Sequence, residues 1–159
     1  MFRSASFTLT FNFAAVRQPV NGKLVLSLYQ KVFFLNTEGI YKSTCHCGAV
    51  ELELKLPNGL EELGRCNCSM CSRRGAVVAS VPLENLSIIR GQDKLSLYQF
   101  NTNTAKHYFC SICGIYTHHQ RRSNPHLFGI NVACIDGINP YELGEIPVLD
   151  GINHPKDKV

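Results

Sequence analysis

Seven of the eight cysteines in this chain fall into three tight clusters: Cys45-x-Cys47, Cys66-x-Cys68-x-x-Cys71 and Cys110-x-x-Cys113, with Cys134 alone. Cysteines one or two residues apart are badly placed to bridge each other, because a disulfide demands a specific separation of Cα and Cβ atoms. Close pairs suit a metal instead, since one short turn aims two thiolates at a single ion. The spacing predicts zinc in preference to a disulfide framework.

The clusters differ in what they offer. Cys45-His-Cys-Gly and Cys110-Ser-Ile-Cys-Gly each end in a glycine, Gly48 and Gly114. A glycine there admits positive φ and turns backbone N–H groups toward the sulfurs. Each pair is half a site, and together they make a closed four-thiolate site of the structural kind. Cys66, Cys68 and Cys71 supply three thiolates within six residues. Three protein ligands and an open position are what a catalytic zinc needs. Two readings stay open for this cluster. Either the fourth place takes water or a substrate thiolate, or a histidine or Cys134 closes a second structural site. Arg65, Arg73 and Arg74 flank the cluster, and Arg73 and Arg74 are candidates for balancing its charge and recruiting an anionic substrate.

Other residues carry weaker signals. Cys134 sits in an apolar strand candidate, Val132-Ala-Cys-Ile, where a free cysteine packs as core. His46, between two ligands, is expected to point away from the metal. His118 and His119 are consecutive in a strand, so only one can face a given site. Either could shuttle protons near neutral pH, and an ordinary polar strand face is the plainer reading. Arg121-Arg122 before Ser-Asn-Pro reads equally as an anion-binding loop or a solvated turn.

The elements that must hold these residues are mostly strands. Val50, Leu52, Leu54 and Leu56 alternate with Glu51, Glu53 and Lys55, the period-two pattern of a half-buried strand. Gly75–Val81, stopped by Pro82, reads as a buried strand. Leu86–Ile89, Leu95–Phe100, Lys106–Phe109, Ile115–His119 and Leu127–Cys134 follow with similar lengths. Leu60–Leu63 reads as a single helical turn, and the segment after Pro140 as loop. Short strands joined by turns predict a mainly β fold of two packed or folded sheets.

Composition narrows the class further. In 159 residues, 45% are hydrophobic and 18% charged, which excludes wholesale disorder and fibrous repeats. No run approaches the roughly 18 apolar residues of a membrane span. The net charge of +4 resides on the first 37 residues: Arg3, Arg17, Lys23 and Lys31 precede every acid, and the rest balances. The body is therefore not a basic nucleic-acid binder. Residues 1–39 read as an accessory extension, a poor fit to a secretion signal and only faintly like a transit peptide.

The ordered motifs Cys45-His-Cys-Gly-Ala-Val, Cys66-Asn-Cys-Ser-Met-Cys-Ser-Arg-Arg-Gly and Phe109-Cys-Ser-Ile-Cys-Gly-Ile-Tyr resemble those of the glutathione-dependent formaldehyde-activating enzyme (GFA) family, which includes the GFA-type domain of centromere protein V. The resemblance runs from about Ile40 to about Pro140, so it sets apart a 1–39 extension, a 40–140 GFA-like domain and a 141–159 tail. It implies a zinc-bound β-tent of two folded antiparallel sheets, also seen in methionine sulfoxide reductase B. It implies two Zn2+ per chain, with Cys45, Cys47, Cys110 and Cys113 as structural ligands and Cys66, Cys68 and Cys71 as catalytic ones. The implied activity is carbon–sulfur lyase chemistry on a small thiol: glutathione and formaldehyde combine reversibly to S-(hydroxymethyl)glutathione, in the cytoplasm, with neither nucleic acid nor membrane as partner. Two other functions fit the same residues, a non-catalytic zinc module for protein binding and a thiol redox enzyme pairing Cys134 with a cluster cysteine.

Overall fold

The computed structural model describes residues 38–155. The reading of the N-terminal segment as an accessory extension falls on residues 1–37, which lie outside the described residues.

The alternating segment forms the central strand of a three-stranded antiparallel sheet. Strand β2 (Glu51–Leu56) lies between β1 (Gly39–Thr44) and β5 (Leu86–Arg90). Val50, Leu52, Leu54 and Leu56 are all 3% exposed or less. Fully burying such a side chain is worth about 1.5–3 kcal/mol. A one-residue slip would turn all four outward, so the apolar face fixes the register. On the other face Glu51 pairs with Lys42 and Arg90 at 3.2 and 2.8 Å, joining the three strands.

The second sheet comprises β3 (Glu61–Cys66), β4 (Val78–Pro82), β6 (Leu95–Tyr98), β7 (Lys106–Cys110), β8 (Tyr116–Gln120), β9 (Leu127–Asn131) and β10 (Val148–Leu149). Its order is β10-β3-β4-β9-β8-β7-β6. All pairings are antiparallel except the short parallel contact of β10 with β3. Val77, Ala79, Val81, Ile130 and Val132 share one buried cluster with the apolar face of β2. The result is the mainly β fold of two sheets that the sequence pattern and the GFA resemblance imply.

Three local expectations fail, each for a physical reason. Leu60–Leu63 is not a helical turn: residues from Glu61 enter β3, with Glu62 at φ 50° and a register shift between Glu61 and Gly64. A single turn cannot repay the cost of nucleating a helix, whereas pairing with β4 satisfies the backbone. The strand ending at Cys134 stops at Asn131, whose side chain accepts from the N–H of Ala133 and starts a 3-10 turn over Val132–Cys134. The segment after Pro140 is not loop throughout, because β10 hydrogen-bonds along β3 through Arg65 N–H to Pro147 O (2.9 Å) and Asn67 N–H to Leu149 O (3.2 Å). No helix among the described residues is long and apolar enough to cross a membrane.

Every strand among the described residues begins at or after Gly39. A chain starting at Glu38 is therefore expected to fold, to melt within a few degrees of the full chain and to take up the same metal. Circular dichroism and elemental analysis check this. Insoluble, metal-poor protein would place part of residues 1–37 in the core.

Candidate functional site

The four-cysteine cluster ties the two sheets together. Cys45 and Cys47 lie in the turn from β1 to β2, while Cys110 ends β7 and Cys113 lies in the turn to β8. The two turns are built alike: Gly48 N–H bonds to Cys45 O at 3.0 Å, and Gly114 N–H to Cys110 O at 2.8 Å. Gly48 and Gly114 sit at φ 75° and 72°, where a side chain would strain the backbone. The four Sγ atoms all lie within 4.8 Å of one another, and Cys47 Sγ is 3.7 Å from both Cys45 Sγ and Cys110 Sγ. Four sulfurs at 2.3 Å from a central zinc stand about 3.8 Å apart, whereas a disulfide needs about 2.05 Å. The geometry fits a tetrahedral metal. The N–H of Val50 donates to Cys45 Sγ at 3.2 Å, and the N–H groups of Ile115 and Cys47 hold the Cys113 thiol down to about 6. His46, between two of these cysteines, is exposed.

The three-cysteine cluster is assembled from β3 and a helix that sequence reading missed. Cys66 ends β3, and α1 (Ser69–Arg74) begins after Cys68, whose sulfur accepts the N–H of Cys71 at 3.4 Å. Gly75, at φ 67°, stops the helix with its N–H on Cys71 O. The capping sulfur and Gly75 at the helix end are the sequence signals for α1. The sulfurs of Cys66, Cys68 and Cys71 lie within 4.8 Å of one another, and no fourth His, Cys, Asp or Glu among the described residues joins them. Donation from Cys71, then the N–H of Cys68, pulls the Cys66 thiol down to about 5, while the Cys71 thiol is pushed up.

A cavity of about 610 Å³ opens over these three sulfurs. The C-terminal segment closes one side. Asn67 Oδ1 accepts from Gly151 N–H (2.7 Å) and Ile152 N–H (3.1 Å), pulling the chain against the cluster. A Cβ on Gly151 would stand 2.3 Å from Cys66 Sγ and 2.9 Å from Cys68 Cβ, so no larger residue fits.

Arg74 is a cation in contact with the cluster. Its Nη2 donates to Cys71 Sγ at 3.1 Å, its Nη1 donates to His107 Nδ1 at 3.1 Å, and its guanidinium lies 3.6 Å from the centre of the Tyr116 ring. Its guanidinium is thus already engaged by the Cys71 sulfur and the Tyr116 ring. Arg73 turns back on α1, donating to Ser69 O at 2.6 Å, and lies outside this cavity. Arg121 and Arg122 both line it. Arg121 pairs with Glu62 at 2.6 Å and bonds Ser80 Oγ, which itself donates to Glu62 at 2.7 Å. Arg122 helps to lower the Cys66 thiol.

The adjacent histidines separate as alternation requires. His118 is 2% exposed, stacked on Tyr108 with centroids 4.6 Å apart and edge-on to Phe128. His119 faces the cavity, stacked 5.2 Å from His107 across the β7–β8 ladder. Neither His107 nor Tyr116 stood out in the sequence. Both are reached only through cross-strand pairing, as are Asn67 and Gly151 through the closing segment. Cys134 joins neither cluster: it is buried, donates to Tyr116 O at 3.6 Å, and burial pushes its thiol up to about 12. The redox reading built on it lacks an accessible thiolate.

Residues 40–145 match the family model described as glutathione-dependent formaldehyde-activating enzyme. The chain belongs to this family. A Rhodobacter sphaeroides protein solved as a structural genomics target is similar at 58% identity and a TM-score of 0.66. That comparison covers 68% of this chain and 99% of the other. Both cysteine clusters lie inside the GFA match, whereas Gly151, which backs Cys66, lies beyond it.

Two outcomes follow. Gly151→Ala is expected to lose the metal of the three-cysteine cluster and keep that of the four-cysteine one, halving bound metal by elemental analysis. Full metal content would show that the closing segment is not constrained at Gly151. The second outcome concerns pH. Burial pushes His118 down to about 4, and burial with Arg74 does the same for His107. An unfolded histidine titrates near about 6.5, so on acidification the unfolded chain takes up protons first. The stability these groups contribute is full above about pH 6.5 and is lost as pH falls toward 4. Melting temperature should fall over the part of that window in which elemental analysis still finds full metal, since thiolate ligands release metal on acidification, and His118→Gln should flatten part of the slope. An unchanged slope would overturn the assignment.

Proposed function

We propose that this GFA-family chain is a zinc-dependent carbon–sulfur lyase-type enzyme that joins a small thiol, glutathione first among them, to formaldehyde. One observation carries the reading: three thiolates share one face of a cavity with no fourth protein ligand among the described residues. A non-catalytic zinc module needs that fourth ligand to close the site.

Each zinc fits its cluster differently. Cys45, Cys47, Cys110 and Cys113 would hold a closed structural ion, and Cys66, Cys68 and Cys71 one with an open position. A zinc ion held by the open cluster would supply Lewis acidity that lowers the pKa of an added thiol and eases loss of its proton. The chain's residues do the rest. Arg74 offsets part of the charge of the three thiolates, so a further anionic sulfur is less repelled. Phe100, Ala76 and Val78 add apolar surface to the cavity lining. At about 610 Å³ the cavity lies within the range of small-molecule sites and admits a tripeptide-sized thiol. Arg122, whose charge also reaches Cys66, lies at its wall and suits a carboxylate of such a thiol. None of the eight cysteines is bridged, which fits a reducing, cytoplasmic setting.

The test is NMR exchange between a free thiol and its hydroxymethyl adduct. The protein loaded with two zinc ions is expected to accelerate exchange for glutathione and formaldehyde. Cys68→Ser should lose at least about tenfold of that acceleration while keeping the four-thiolate metal. Two bound zincs with no acceleration for any small thiol would sink the enzyme reading and leave the fold intact.

A further inference from the structure

We propose that His119 is the proton-transfer residue of the cavity, acting through Nε2, with His107 beside it as a hydrogen-bond donor through its own Nε2–H. This inference rests on the thiol–aldehyde reading above and assigns the two residues that move or share the proton.

The assignment follows from hydrogen-bond counting. Tyr116 has one hydroxyl proton and two neighbours, Gly129 O at 2.9 Å and His119 Nδ1 at 2.5 Å. A carbonyl oxygen can only accept, so leaving it without that proton would set two acceptors 2.9 Å apart. Tyr116 therefore donates to Gly129 O and accepts from His119 Nδ1–H. A neutral imidazole carries one proton, so Nε2 of His119 holds a free lone pair. Burial, then the charge of Arg74, holds His119 well below the ordinary histidine range and keeps it neutral.

His107 is set the opposite way. Arg74 Nη1 can only donate, so the Nδ1 it meets at 3.1 Å is an acceptor and the His107 proton sits on Nε2. Two stacked imidazoles, 5.2 Å apart and both facing one cavity, thus hold opposite tautomers. One can take a proton and the other can donate a hydrogen bond.

The position is built rather than incidental. His119 lies opposite Gly129 in the β8–β9 ladder, and a Cβ on Gly129 would stand 2.3 Å from the His119 ring. The ring occupies the space that glycine leaves, and the Tyr116 hydroxyl orients it. His118 shows what a packing histidine looks like here, sealed among Thr117, Tyr108 and Phe128.

The step balances without another reactant. The thiol S–H bond breaks, and its proton passes to His119 Nε2 while the electron pair stays on sulfur. Sulfur forms the C–S bond at the aldehyde carbon as the C=O π pair moves to oxygen, to which His107 Nε2–H donates a hydrogen bond. The oxygen then takes the proton back from His119, yielding the hydroxymethyl thioether and the starting tautomer. The reverse order releases the aldehyde.

Nitrogen-15 NMR of the zinc-loaded full chain tests the assignment directly. The expected result is His119 protonated at Nδ1 and His107 at Nε2 at neutral pH; a His119 proton on Nε2 overturns the proposal. In the exchange assay His119→Gln should lose roughly 100-fold, within the usual reach of acid–base catalysis, with two zincs and glutathione affinity retained. Tyr116→Phe, which keeps the imidazole and frees Nδ1, should give a mixed tautomer and a smaller loss. A His119→Gln rate within twofold of the parent overturns His119 alone, whereas an inactive parent overturns this assignment and the enzyme reading together. If His119→Gln fails to fold, the tautomers of the parent protein decide.

Discussion

Four sulfurs drawn from turns 63 residues apart converge within 4.8 Å, and that convergence organises the rest of the structure. As thiolates they repel one another, so the arrangement is stable only with a cation at its centre. The cation would join the β1–β2 hairpin of one sheet to the β7–β8 hairpin of the other. Everything downstream depends on that joint, because β7 and β8 carry His107, Tyr116 and His119. The four-cysteine cluster thus sits at the joint from which the cavity wall facing the second cluster extends.

The second cluster is held to a different rule. Its three sulfurs come from a strand end and one helical turn, which places them on one side of any bound ion. Arg74 offsets charge from one flank, and Gly151 seals another by lacking a side chain. The face left open meets a cavity rather than a protein ligand. The same small fold thus holds a cluster of four sulfurs and a cluster of three, the second facing a cavity.

How much of this was legible beforehand depended on range. The alternation at Val50–Leu56 identified β2 and its buried face, because period-two burial is a local property. The cysteine spacing identified both clusters and their division into four and three, because a turn of one or two residues can aim two sulfurs at one ion. The misreadings were of marginal local signals that long-range pairing overrode. Leu60–Leu63 looked helical until β4 offered a partner, and the segment after Pro140 looked loose until Asn67 bound it.

The sequence by itself therefore determined the fold class, the family and the grouping of seven cysteines into two clusters, since each rests on residue type and short spacing along one chain. Only the tertiary structure decided which charged and titratable groups belong to the site. Arg74 entered and Arg73 did not, although they are adjacent, because one helical step turns a side chain by about 100°. His119 faced the cavity and His118 the packed side, because neighbours in a strand point oppositely. Their tautomers depend on Tyr116, Gly129 and Arg74, contacts set by strand register and helix docking, and no spacing in the chain encodes them.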